Sequence, residues 1–491
     1  MQLYDKDLLS VQEVRELVEK AKAAQEELSH KSQKEVDAIV RSVASAGVRN
    51  AKRLAAMAHE ETGFGVEADK VIKNVFASEG VYEHIKDMKT IGEICRDERN
   101  RIRTIAVPVG VIAGLIPSTN PTSTALYKSE IAIKAGNAIV FSPHPNARNC
   151  ILETVKVIRQ AIAEAGGNED LVTCITIPTL QATDNLMHHA DVSMILATGG
   201  SAMVRAAYSS GTPAIGVGPG NGPAYIEKTA DIPVAVKRIM DSKTFDNGTI
   251  CASEQSVVCD DNMAEAVQSE MERQGAYFLT KEESKKLGAF ILRANGTMNP
   301  MIVGKSAQVI ADLAGIDIPK DARVIVAKED GIGRGHPYSN EKLAPILAFY
   351  TAPSYVEICE LCQDILHYEG AGHTFSMHTK DEKMVDYFAK RIPASRIIVN
   401  TPSALGGIGG TTGLQPALTL GCGAIGGSAT SENVGPKNLM NLRYVAEGIR
   451  EIEDVKAALP DCSSGICKPT KQDDVDIDAI VTEIIKRLHN A

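Results

Sequence analysis

Residues 192–201 read VSMILATGGS, a mostly apolar run that passes straight into Thr198-Gly199-Gly200-Ser201. An apolar run of this length predicts a strand buried on both faces, as in a parallel sheet. Two glycines at its carboxyl end predict a tight turn into a helix. There an anion can approach the backbone and the helix N-terminus. The third glycine of a G-x-G-x-x-G spacing is missing, so a plain βα turn reads equally well from this segment alone.

The same alternation extends outward. Residues 103–107 and 109–116 are β-type runs split by Pro108 and Gly110. A helical stretch follows at about 123–134, an apolar run at 138–141, a helix at about 147–165 and a strand at 172–177. Short apolar runs alternating with helices predict an α/β fold with a parallel sheet, and ligands at the carboxyl ends of its strands. Upstream, residues 10–29 predict a helix. Ser10 and Glu13 have capping-box spacing, and Val14, Leu17, Val18, Ala21 and Leu28 share one face. Residues 33–90 stay in a helical register. After about residue 237 the pattern restarts, with strands at 255–259, 324–327 and 346–350 and a helix at 263–274, which predicts a second α/β lobe. Residues 402–427 are glycine-rich and predict ordered loops.

A chain of 491 residues is too long for one ordinary core and agrees with two lobes. A net charge of −10 gives no generic nucleic-acid surface. No apolar run reaches the ~18 residues of a membrane helix. The opening MQLYDKDLLSVQEV does not read as a secretory leader. Ten cysteines without a regular framework predict a reducing, cytoplasmic compartment. No metal site is expected: Cys359 and Cys362 have C-x-x-C spacing without a second pair, and neither His144 nor His188-His189 forms a ligand pattern.

Two further segments carry chemistry. Residues 242–256 read SKTFDNGTICASEQS. Cys251 follows the Asn247-Gly248 turn signal and precedes a predicted strand, a setting that can expose a sulfur as nucleophile. A small buried hydrophobe is the alternative. Residues 111–123 read VIAGLIPSTNPTS, a strand ending in a loop bracketed by Pro117 and Pro121, where Asn120 or Thr119 can present a hydrogen-bond donor.

In their order, ATGGS, VGPGNGPAYI at 217–226, SKTFDNGTICASEQS, NEKLAPIL at 340–347 and GAGHT at 370–374 resemble the CoA-acylating aldehyde dehydrogenases. These include the aldehyde half of the bifunctional aldehyde-alcohol dehydrogenases and the enzymes of ethanolamine and propanediol breakdown. The resemblance covers about residues 5–455. It implies an aldehyde dehydrogenase-like fold: a Rossmann-type nucleotide domain at 1–237 with a β-flap segment near 97–116, a catalytic domain at 238–430, and a return to the first domain at 431–460. It also implies that Cys251 is the nucleophile and that its backbone N–H and the 117–121 loop serve the oxyanion: the relatives' asparagine falls without a gap on Thr119, and Asn120, one residue on, is taken as the donor. Thr198, Gly199 and Gly200 then form the pyrophosphate-side turn, and Glu341 holds the nicotinamide ribose. Ser142 replaces a lysine that elsewhere contacts the adenosine ribose, and NAD is expected over NADP. His373, in GAGHT, then assists deprotonation of the coenzyme A thiol; a solvent-facing loop histidine is the alternative. Hydrolytic relatives carry a water-activating glutamate near the position of Val217, in GVGPGNGP, where this chain has no carboxylate. The expected reaction is therefore conversion of a short-chain aldehyde, NAD and coenzyme A to acyl-CoA and NADH. Hydrolysis to a free acid is the alternative. A homodimer or homotetramer is implied.

Residues 461–474 (DCSSGICKPTKQDD) read as a linker and 475–491 as an amphipathic tail helix, with Ile477, Ile480, Val481, Ile484, Ile485 and Leu488 on one stripe. This tail resembles the encapsulation peptides that bring enzymes into bacterial microcompartments, where shell or cargo proteins would be its partners. Packing on its own enzyme is the alternative.

Overall fold

A computed structural model describes residues 5–457, so the linker at 461–474 and the tail helix at 475–491 lie outside the described residues. The described chain forms two compact units. One comprises the residues up to Gly92 together with Ala106–Leu442, and the other Glu93–Ile105 with the described residues from Arg443 onward. In chain order the strands are β1 (Gly92–Asp97), β2 (Ile102–Pro108), β3 (Val111–Ile116), β4 (Ala138–Pro143), β5 (Val172–Cys174), β6 (Val192–Thr198), β7 (Ala214–Val217), β8 (Gly222–Ile226), β9 (Glu254–Asp260), β10 (Ala276–Phe278), β11 (Val324–Lys328), β12 (Ile346–Ala352), β13 (Gly372–His378), β14 (Ala394–Val399) and β15 (Met440–Ala446).

The larger unit holds two parallel sheets. The first has the order β5-β4-β3-β6-β7. The chain winds outward from β3 through β4 and β5, returns to β6 on the other side of β3, and continues to β7. That reversal opens a crevice at the carboxyl ends of β3 and β6, the place where doubly wound sheets bind ligands. The second sheet is seven-stranded, in the order β10-β11-β12-β9-β8-β13-β14, and every resolved pairing in it is parallel. The two apolar runs split at Pro108 and Gly110 part company: 102–108 joins a three-stranded sheet and 111–116 the five-stranded one. β8 already belongs to the seven-stranded sheet, so the change of sheet falls between β7 and β8, before residue 237.

The helix Pro121–Lys134, which follows β3, is buried at every residue. Its cations are satisfied by protein acceptors, as burial requires. Lys128 donates to the carbonyls of Leu115 (2.7 Å) and Leu196 (2.8 Å), the ends of β3 and β6, and so pins the two strands that flank the crevice. Lys134 donates to Asp37 (2.6 Å) and to the Lys86 carbonyl (2.8 Å).

The first helix begins earlier than its capping-box spacing suggests. It spans Lys6–Ser29 and is capped by Asp5, which accepts from the backbone of Asp7 and Leu8. Glu13 is engaged elsewhere: its carboxylate accepts from Thr176 N (2.9 Å), Thr176 Oγ1 (2.6 Å) and Ile177 N (3.1 Å). Ser10 is buried inside the helix against Thr179.

The smaller unit centres on the three-stranded sheet β1-β2-β15, with Tyr444, Val445, Ile449 and Ile452 exposed. Among the described residues no helix is long and apolar enough to cross a membrane.

Candidate active site

The carboxyl ends of β3 and β6 face the segments that lead into β8, β9 and β12. Between them lies a cavity of about 650 Å3. Its walls include Cys251, Asn120, Thr198, Gly199, Gly200, Ser142 and Glu341.

The nucleophile loop is shaped by three successive left-handed residues: Asp246 (φ 49°), Asn247 (φ 51°) and Gly248 (φ 76°). Asp, Asn and Gly tolerate this region best, which is why DNG can reverse the chain sharply after the helix Ile232–Thr244 and lift Cys251 to the entrance of β9. Asp246 is fully buried and holds the turn. Its carboxylate accepts from Val66 N (2.7 Å), Thr249 Oγ1 (2.6 Å), Lys70 Nζ (3.1 Å) and Lys73 Nζ. Its own N–H donates to Asp69 (2.7 Å). Burial works against its charge, but Lys73 and Lys70 outweigh burial and hold the carboxyl below its usual range.

Cys251 is half-buried, with its thiol in the cavity wall. Burial first, then Glu341 and Cys422, push the thiol up to about 12, while Arg396 opposes the shift. The resting sulfur is therefore a thiol. Asn120 stands at the N-terminus of the helix Pro121–Lys134. Its Nδ2 donates to the Thr249 carbonyl (2.8 Å), and its Oδ1 accepts from Lys73 (2.6 Å).

Glu341 accepts from Gly220 N (2.9 Å) through one oxygen. Burial, then the neighbouring Glu369, push it up to about 8. Gly220 packs so closely on the nucleophile's peptide that a Cβ there would overlap the Cys251 carbonyl. Val217, Gly218 and Pro219 complete this wall without a carboxylate.

On the crevice side the backbone is open. A Cβ at Gly200 would meet nothing within 4 Å, and the helix Ser201–Ser209 has no side chain capping its first turn. Free N–H groups and open backbone at this turn fit a pyrophosphate. Ser142 shares a hydrogen bond with Thr183 (2.7 Å), and Thr198 with Thr419 (3.2 Å).

His373 is not in the cavity wall. It is fully buried behind Gly220, at the start of β13. Arg396 Nε donates to Thr374 Oγ1 (3.3 Å), and that hydroxyl shares a hydrogen bond with His373 Nδ1 (2.9 Å). Nε2 has no partner among the described residues, and burial keeps the ring neutral.

Sequence reasoning passed over Lys73, Glu369, Arg396 and Cys422. Asp246 was inside the quoted cysteine segment, where its place before Asn-Gly was the available signal. Lys73 gave none, since EADKVIKNV reads as an ordinary amphipathic helix.

A cysteine at a strand entrance, facing the crevice of a doubly wound sheet, defines an α/β protein with a thiol-centred candidate site. The chain belongs to the aldehyde dehydrogenase family, whose model matches residues 3–410. It is 45% identical over 443 residues to the bifunctional aldehyde-alcohol dehydrogenase of Escherichia coli (strain K12), covering 89% of this chain and 50% of that protein. The chain thus spans about half the length of this curated relative. A probable aldehyde dehydrogenase from Listeria monocytogenes EGD-e superposes with a TM-score of 0.91 at 62% identity, over 92% of this chain and 100% of that one. An acetylating aldehyde dehydrogenase from Geobacillus thermoglucosidasius gives 0.90 at 53% identity, over 92% and 99%. A propionaldehyde dehydrogenase of the Clostridium phytofermentans fucose utilisation bacterial microcompartment gives 0.82 at 29% identity, over 89% and 98%. The expected α/β, aldehyde dehydrogenase-like fold is borne out.

Proposed function

We propose that this chain converts a short-chain aldehyde, NAD and coenzyme A to an acyl-CoA and NADH, reversibly, through Cys251. The observation that carries this reading is a cavity wall in which Cys251 and Asn120 stand together while Val217-Gly218-Pro219 supplies no base for water. The acetylating enzyme from Geobacillus thermoglucosidasius supports it by likeness.

The Cys251 sulfur, once deprotonated, adds to the aldehyde carbon and forms a C–S bond. The oxygen becomes an alkoxide, which the Cys251 backbone N–H and Asn120 Nδ2 stabilise. NAD, when bound, would supply the acceptor for the hydride that leaves this carbon. The Thr198-Gly199-Gly200 turn would hold its pyrophosphate, and the free oxygen of Glu341 its nicotinamide ribose. With Ser142 in place of a cation, no positive charge awaits a 2′-phosphate, which favours NAD over NADP. The thioester left on Cys251 is then attacked by the coenzyme A thiol, the Cys251 sulfur leaves, and one proton is released overall. We assign His373 to this second step. Burial keeps its ring neutral, so it is proposed to assist deprotonation of the coenzyme A thiol.

With coenzyme A omitted, NADH formation is expected to stop near one equivalent per site. Free acid should accumulate about 10²–10⁴-fold more slowly than acyl-CoA does in its presence, the usual worth of a general base. Product analysis by chromatography checks this, and acid release at the acyl-CoA rate would return the hydrolytic reading.

The assembly is proposed as a homodimer or homotetramer joined through the three-stranded sheet, where exposed Tyr444 and Val445 are available for burial. The enzyme class and the tail sequence favour residence in a bacterial microcompartment. Removal of residues 461–491 is expected to leave kcat within about twofold while abolishing co-sedimentation with shells. Loss of activity instead would place the tail on its own enzyme.

A further inference from the structure

Lys73 lies on the helix Glu67–Val75, far in sequence from both the cysteine loop and the loop after β3, yet it ties the two together. It is 2% exposed. Its ammonium has three hydrogens, and each has an acceptor: Asn120 Oδ1 (2.6 Å), Thr249 Oγ1 (3.1 Å) and the Asp246 carboxylate. An ammonium only donates. The amide of Asn120 must therefore turn its oxygen to Lys73 and its nitrogen away, so the flip is fixed by chemistry. One Nδ2 hydrogen meets the Thr249 carbonyl (2.8 Å). The other meets only Thr119 Oγ1, at a long 3.4 Å, and is left for an oxygen in the cavity.

We propose that Lys73 is a positioning residue: it orients the Asn120 amide toward the oxyanion and locks that amide to the nucleophile loop through Thr249 and Asp246. The proposal rests on the reading of Asn120 as oxyanion donor. Lys73 touches no reacting atom. Its work is done through Asn120, as a fixed donor costs no reorganisation when charge develops.

The test is a double-mutant cycle on Lys73→Met and Asn120→Ala, read as kcat and as the single-turnover rate of NADH formation. K73M matches the stem in length and leaves Asp246 with Lys70, one ammonium for one carboxylate, so the fold is retained; a urea midpoint checks this for each variant. N120A is expected to lower kcat about 10²-fold. K73M is expected to lower it about 10–10²-fold with KM for aldehyde within about threefold. In the N120A background K73M should then change kcat less than about threefold, since its effect passes through the missing amide. Should N120A be impaired and the two losses multiply in full, Lys73 is structural only and the proposal falls. If N120A retains parental kcat, the reading of Asn120 falls and takes the proposal with it.

Discussion

Cys251→Ala is expected to lose acyl-CoA formation by on the order of 10⁴-fold or more in kcat, the loss typical of removing a covalent nucleophile. The variant should stay folded. Cys251 is half-buried at the cavity wall, and alanine fits the same turn, so the unfolding free energy in urea is expected to stay within about 0.5 kcal/mol of the parent. NAD binding should persist, because the open turn at Gly199 and Gly200 is untouched. The neighbouring Cys422 offers no replacement: it is 1% exposed, and its thiol faces the Leu420 carbonyl at 3.6 Å. The measurement is NADH formation from aldehyde with and without coenzyme A. An alanine variant within about tenfold of the parent would mean that hydride transfer needs no thiohemiacetal, and the covalent route would be lost.

The resting thiol is pushed up to about 12, chiefly by burial, so the sulfur is protonated at neutral pH and must lose its proton to react. Glu341, raised to about 8, is the carboxyl whose charge most disfavours the thiolate. A neutral Glu341 removes that repulsion. Thiolate formation is therefore easiest while Glu341 is neutral and harder once it ionises above about pH 8.

The nucleotide sheet was legible because its strands are mostly apolar: the runs at 192–197 and 138–141 are short, rich in Val and Ile, and bounded by turn residues. Strands β13 and β14 were not. GHTFSMH carries two histidines, a threonine and a serine, yet every residue of β13 is buried. What admits such residues to a buried strand is its tertiary setting, here Arg396 donating to Thr374 and to the His373 carbonyl, and no local pattern announces it. Likewise Cys251 and Asn120 were readable from their loops, whereas Lys73 and Glu369 come from segments that look like ordinary surface. What brings them to the site is packing between distant elements. The helix start at Ser10 and Glu13 failed for the same reason, since Glu13 caps the backbone at 176–177 and not its own helix.

Asp246→Asn is expected to cost about 3–5 kcal/mol of stability, the usual penalty for removing one partner of a buried ion pair. Asparagine is the informative replacement. It tolerates the left-handed backbone at φ 49° and keeps the shape of the side chain, so the change isolates the charge. In the parent, one buried carboxylate faces Lys70 and Lys73, with Thr249 and the Val66 N–H completing its shell and Asp69 bonded to its backbone. Without it, two ammoniums remain in a pocket where the side chains of Lys70 and Lys73 are only 4% and 2% exposed. The pH dependence gives the signature. Asp246 is held below its ordinary pKa, so its contribution is present above about pH 4 and is lost as pH falls through the folded value. Lys73 is already depressed to about 8, mainly by burial, and Asp246 is the largest influence raising it. In the variant Lys73 discharges at a lower pH still. The deficit relative to the parent should therefore be largest at about pH 6.5 and shrink toward about pH 9.5, as the uncompensated ammonium gives up its proton. Urea midpoints across that range measure it. A deficit that is small, or that grows with rising pH, would mean that the carboxylate is not what holds the two lysines in place and that the turn before Cys251 is kept by its backbone alone.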